Sequence, residues 1–266
     1  MTDGPDRSRQ GQRNEAGSSV ESLASEALKA LARTRGARAK SVSDRHLEAL
    51  RRAVTDVDAD ERRQVVGKLR AAGVTLEELI DIYIPEVARQ LGDAWCRDQT
   101  SFADVTIGAA RLQGMLRELL EEFPSPNKSR DAAGVAVAVI AEEFHTLGAL
   151  VLTAQLRRLG VSVRLILDAD TDDVLKTVGG DERFDAIMIS ASHIETLVQL
   201  ASFVERIRKH TKRSVPIVVG GPVLGTGKDV KAATGADFAT SDVVEALRLC
   251  QLRISPHDAV ANVKVE

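Results

Sequence analysis

Near residue 124 the spacing of the apolar residues changes period, and that change divides the chain into two kinds of structure. From Val20 to about Phe123 apolar residues recur three and four apart, as in Leu47, Leu50 and Val54 or Leu76, Leu79, Ile80 and Tyr83, which gathers them on one face of a helix. Beyond it, short β-branched runs alternate with amphipathic stretches: Val135 to Ala141, Val161 to Leu167, Phe184 to Ser190, Val215 to Val219 and a weaker Ala236 to Ala239. These runs are continuously apolar rather than alternating, so they predict strands covered on both faces. Five such strands with helical patterns between them make a flavodoxin-like (Rossmann-like) parallel sheet. The expected architecture is α followed by α/β, an N-terminal helical bundle and then a five-stranded parallel sheet domain.

The boundaries follow from local chemistry. Residues 1–18 hold almost no apolar side chain and read as a flexible tail; the bundle spans 19–123. Pro124 and Pro126 open a stiff polar linker at 124–131, the α/β domain spans 132–253, and 254–266 is a tail without pattern. Thr75 with Glu78 and Ser101 with Asp104 resemble capping boxes, and Gly73 suits a helix C-terminus. Pro85 is the local conflict, since inside a helix it should kink or end it.

Aromatic residues make up only 3% of the chain, so the cores are aliphatic and the single Trp95 and Tyr83 stand out. Two cysteines, Cys96 and Cys250, cannot frame a disulfide scaffold or a zinc site and suit a reducing compartment. With no apolar run near the roughly 20 residues of a membrane span and no secretory pattern at the N-terminus, the expected location is cytoplasmic, away from membranes. A net charge of -3 argues against nucleic-acid binding through overall charge. The basic stretch from Lys29 to Arg52 reads either as a solvated helical face or as a surface for a partner or for DNA phosphate.

In an open parallel sheet, ligands bind beyond the carboxyl ends of the strands where strand order reverses. The residues there are Glu142 to Gly148 after the first run, Ser190 to His193 after the third and Gly220-Gly221-Pro222 after the fourth. For strand order 2-1-3-4-5 the first and third strands flank the switch point, which places a crevice beside His145. A Walker loop is excluded, because Pro222 stands where its first glycine belongs and Asp229 follows Lys228. A response-regulator reading lacks the acceptor aspartate, since Ser190 ends the third run. His193 and His210 carry no expectation.

Glu143-x-His145-x-x-Gly148, then Ser190-x-Ser192, then Gly220-Gly221 resembles the signature of cobalamin-binding domains. Pro85, Gly92 and Trp95 are similar to the helical cap over the corrin in methionine synthase and its light-sensing relatives. Asp104-Val105-Thr106 replaces the Glu-His found in many of those caps. The whole pattern is most similar to the AerR/PpaA type of cobalamin-binding photosynthesis antirepressors.

The resemblance implies cobalamin, as hydroxocobalamin or adenosylcobalamin, held base-off with His145 as the lower axial cobalt ligand. Imidazole suits cobalt, and Glu143 would orient the ring from its other nitrogen. Thr146, Leu147 and Gly148 continue the binding loop. Ser190 and Ser192 would offer hydroxyls to the nucleotide tail, Gly220 and Gly221 would leave it room, and Trp95 would cover the upper face. Glu143 departs from the usual Asp by one methylene, and Ser192 from the usual Leu. The implied role is regulatory rather than enzymatic: a light-responsive antirepressor whose partner is a CrtJ/PpsR-type transcriptional repressor. The rival is a corrinoid methyl carrier of a methyltransferase system; a third reading is an interaction module without cofactor.

Overall fold

The structure, a computed structural model, describes residues 42–56, 58–122, 132–140, 145–169, 171–180, 184–211 and 215–252. The expected tails, residues 19–41 of the bundle, the 124–131 linker and Glu143 lie outside the described residues.

The first half is helical: α1 (Asp44–Thr55), α2 (Ala59–Ala71), α3 (Leu76–Glu78), a π-helical turn (Leu79–Tyr83), α4 (Ile84–Cys96) and α5 (Phe102–Glu121). Both expected capping boxes form, Thr75 with Glu78 and Ser101 with Asp104, so each helix start satisfies two otherwise unpaired amides. Gly73 takes a positive φ of 93° just after α2, the left-handed turn a helix C-terminus favours. Pro85 neither ends nor breaks its helix. It falls in the first turn of α4, directly after the π turn, where its missing N–H costs little and the wider turn absorbs its ring. Leu47, Leu50, Leu79, Ile80, Val87, Leu112 and Leu116 are buried, the stripe that the three-and-four spacing foretold.

The second half is β1 (Gly134–Ile140), α6 (Leu147–Arg158), β2 (Ser162–Ala169), α7 (Thr171–Gly179), β3 (Ala186–Ser190), α8 (Leu197–His210), β4 (Ile217–Gly220), α9 (Val230–Thr234), β5 (Phe238–Ala239) and α10 (Val243–Leu249). The strands form one sheet in order 2-1-3-4-5, all pairs parallel. Alternate residues of β1 face opposite layers: Val135, Val137 and Val139 pack with Ala149 and Leu156 of α6 and Leu247 of α10. Ala136 and Ala138 pack instead with Val174 of α7 and Leu200 and Val204 of α8. Covered on both sides, the inner strands β1, β3 and β4 are apolar nearly throughout, which is why their runs lack alternation, whereas the edge strand β2 is half-buried and carries the exposed Arg164.

The described residues from Arg45 onward form a single compact unit, in which α5 packs on α6. No helix among the described residues is long and apolar enough to cross a membrane.

Candidate functional site

A cavity of about 240 Å³ opens at the carboxyl ends of β3, β4 and β5, between α6 and α10. Its floor is apolar, with Met188 and Val218 from the sheet and Val151 and Leu152 from α6, while Ser190, Thr240 and Ser241 bring hydroxyls to its rim. It lies beyond the carboxyl ends of the strands, where ligands bind in open parallel sheets, bounded on one face of the sheet by α6 and α10.

Of the residues expected from sequence, Leu147, Gly148, Ser190, Gly220 and Gly221 line this cavity together. Ser190 is buried, and its Oγ lies 3.5 Å from where a side chain on Gly148 would begin. Any Cβ at position 148 would therefore project into the cavity. The two later glycines serve the backbone. At Gly221, with φ of 102°, a Cβ would sit 2.5 Å from the carbonyl oxygen of Ala191; at Gly220 it would sit 2.7 Å from that of Thr240. The chain after β4 thus lies directly against the chain after β3, joined by hydrogen bonds from the Ala191 amide to the Gly220 carbonyl and from the Val223 amide to the Ala191 carbonyl. Only glycine permits that approach.

His145 is exposed on the approach to α6, and its ring meets that of His193 edge to face, centroids 4.7 Å apart. The loop after β1 and the loop after β3 therefore face one another, as the strand order requires. Thr146 occupies the N-cap position of α6 without capping it, and its hydroxyl is buried with no hydrogen-bond partner. An uncapped helix start and an unsatisfied hydroxyl beside it favour an acceptor group from outside the chain. Ser192 is half-buried and stands off the cavity lining, since one residue beyond Ala191 the chain has left the strand.

Trp95 is 46% exposed at the end of α4, packed against Phe102, itself 68% exposed, with ring centroids 5.9 Å apart. Its neighbours Tyr83 and Leu91 are buried, so the core is filled without it and the Trp95–Phe102 pair forms an apolar surface. Asp104 is occupied in the capping box of α5, where hydrogen bonds from Ser101 hold its carboxyl below the usual range.

Pro85, singled out in the sequence as part of the cap, also lines this cavity, as do Gln155 and the Thr240 to Asp242 segment, which carried no expectation, while His193, also without one, stands against His145. Thr240 to Asp242 follow the fifth strand, so the strand-end rule applied to that weak run would have found them. Gln155 follows Leu147 by eight and Val151 by four, the spacing of one helix face, and its polarity on that otherwise apolar face was the available signal. Among the described residues no group of three His, Cys, Asp or Glu side chains is placed to hold a metal ion. The donors present are two imidazoles, His145 and His193, on loops outside the cavity lining, a set that fits a metal brought in by an organic cofactor rather than one held by the chain alone.

The B12 binding domain family model matches residues 133–248. A Rhodobacter capsulatus protein, described as an uncharacterized 20.5 kDa protein in the bchF-crtJ intergenic region, is 36% identical over 178 residues, covering 66% of this chain and 92% of the relative. This chain belongs to the AerR/PpaA-type family of cobalamin-binding proteins. The Methanosarcina barkeri monomethylamine corrinoid protein shares the fold, with a TM-score of 0.60 at 18% identity over 75% of this chain and 94% of that one.

Proposed function

We propose that this chain is a light-responsive, cobalamin-binding transcriptional regulator that holds B12 base-off, with His145 as the lower axial ligand of cobalt. The observation that carries the reading is the juxtaposition of the exposed His145 with a glycine-walled cavity at the sheet's carboxyl edge. A displaced benzimidazole is flat and apolar with one in-plane nitrogen acceptor. The cavity offers an apolar floor for the ring and the Ser190 hydroxyl as a donor, while the uncapped start of α6 and the Thr146 hydroxyl suit the tail's phosphodiester. An alkylated cobalamin supplies a cobalt–carbon bond that light can break. What the protein contributes is retention of the cofactor and a different fit before and after that change, because a ligand with equal affinity for two states shifts neither.

The Trp95–Phe102 surface supports a role for the helical half as cap over the upper face. The regulatory role rests on the family and on the relative's place in the bchF-crtJ intergenic region, which favours a CrtJ/PpsR-type repressor as partner in the cytoplasm. A direct DNA contact would fall to the basic residues from Lys29 to Arg52. In this reading the protein is not an enzyme.

Absorption spectra of the purified chain with adenosylcobalamin and with hydroxocobalamin, dark and illuminated, test the proposal. Wild type should show the imidazole-ligated, base-off spectrum, retained more strongly after illumination, and His145→Ala should lose it. Light-independent retention would instead favour a corrinoid methyl carrier, and failure to bind either form would leave an interaction module.

A further inference from the structure

The helical half touches the cavity at one residue. Pro85 of α4 lines it, beside Gln155 in the C-terminal half of α6. The Gln155 Nε2 amide donates to Asp81 Oδ1 at 3.1 Å, and the second carboxylate oxygen of Asp81 accepts from Arg158 Nη2. Asp81 thus clamps two residues of α6 one turn apart. The side chains of Asp81 and Arg158 are only 22% and 18% exposed, so this pair is largely shielded from the screening that makes surface ion pairs weak. Asp81 belongs to the π-helical turn Leu79–Tyr83 that directly precedes Pro85. Such turns are rare and cluster at functional sites.

The same helix therefore carries three features in order: the His145 loop at its start, Gln155 on the cavity beyond its middle, and Arg158 bound to the helical half at its end. We propose that Asp81 is a positioning residue of the cofactor site, seating the helical half against the tail cavity so that tail insertion and docking of the helical half strengthen one another. This rests on the cobalamin reading above. Such coupling is reciprocal, so whatever Asp81 adds to tail binding, the bound tail adds to the Asp81 contacts.

The test compares cobalamin with cobinamide, the same corrin without the nucleotide tail, on the full chain. Asp81→Asn keeps the side-chain shape and an acceptor for Gln155 but loses the ion pair with Arg158. It should weaken cobalamin binding about tenfold and leave cobinamide binding unchanged. In wild type, cobalamin but not cobinamide should slow amide hydrogen exchange over residues 76–96, and the variant should lose that difference. Arg158→Lys, which keeps the charge without the planar fork, should move the ratio the same way by less, and serves if Asp81→Asn folds poorly. Equal loss for both corrinoids, or equal protection by both, overturns the coupling while leaving the cofactor reading intact. Cobalamin bound with its base still on cobalt, or not bound at all, overturns the cofactor reading and the coupling with it.

Discussion

Gly221 shows how one residue type answers two different physical demands. In the sequence it reads as a position without a side chain to obstruct the tail; in the structure it serves the backbone first, where a Cβ would collide with Ala191. Both demands select glycine, so the motif was legible although its cause was not. His193 was invisible for the opposite reason: a lone histidine after a strand has no spacing to single it out, and only the facing loops bring it to His145. Cys250 is a residue whose burial predicts behaviour directly. Burial, with the negative charge of Asp237 adding to it, pushes its thiol up from 9.0 to about 11. Between those values the unfolded chain gives up this proton while the folded chain keeps it, so stability is fullest below pH 9 and falls as pH rises toward 11. Urea unfolding across that range should show the decline in wild type and a flatter profile in Cys250→Ala. At pH 8, iodoacetamide should modify the exposed Cys96 and spare Cys250 until the chain unfolds; comparable rates at both sites would refute the assignment.

At the scale of elements, α10 is held at the rim of the cavity by its N-cap. The Asp242 carboxylate accepts from the amides of Val244 at 2.8 Å and Glu245 at 2.9 Å, while its own amide donates to the Thr240 hydroxyl. Asp242→Ala should lower stability by about 1 kcal/mol, seen as a lower denaturant midpoint with an unchanged slope. Asp242→Asn, which keeps the acceptor, should recover most of it; no recovery would mean the cap is not what holds the helix. Elements with a strong local cause were the legible ones. The capping boxes at Thr75 and Ser101 depend on residues three apart, and β1, β3 and β4 on runs that only a doubly covered sheet needs. The π turn before Pro85 was not legible, because the ring's conflict with the helix can be resolved by a kink, a break or a wider turn, and packing around Ile80 and Tyr83 decides among them. β5 spans only Phe238–Ala239, and a pair of residues at a sheet edge leaves little pattern to read.

For the molecule as a whole, the helical half and the sheet meet at α6. Its N-terminal end follows His145, its central face lines the cavity, and its C-terminal end meets Asp81. A change in the cofactor's upper ligand would act first on what faces it from above, and Trp95, Phe102 and Ile107 are the large apolar side chains that the described helical half exposes to solvent. The sheet offers less to move. Its inner strands β1, β3 and β4 are buried on both faces, and such packed layers open only near the global unfolding free energy. Illumination of the adenosylcobalamin complex should therefore change amide exchange mainly within residues 76–122, with small changes in β1, β3 and β4. A response confined to residues beyond 132 would place the switch in the α/β half and remove the cap from the mechanism, whatever ligates the metal from below.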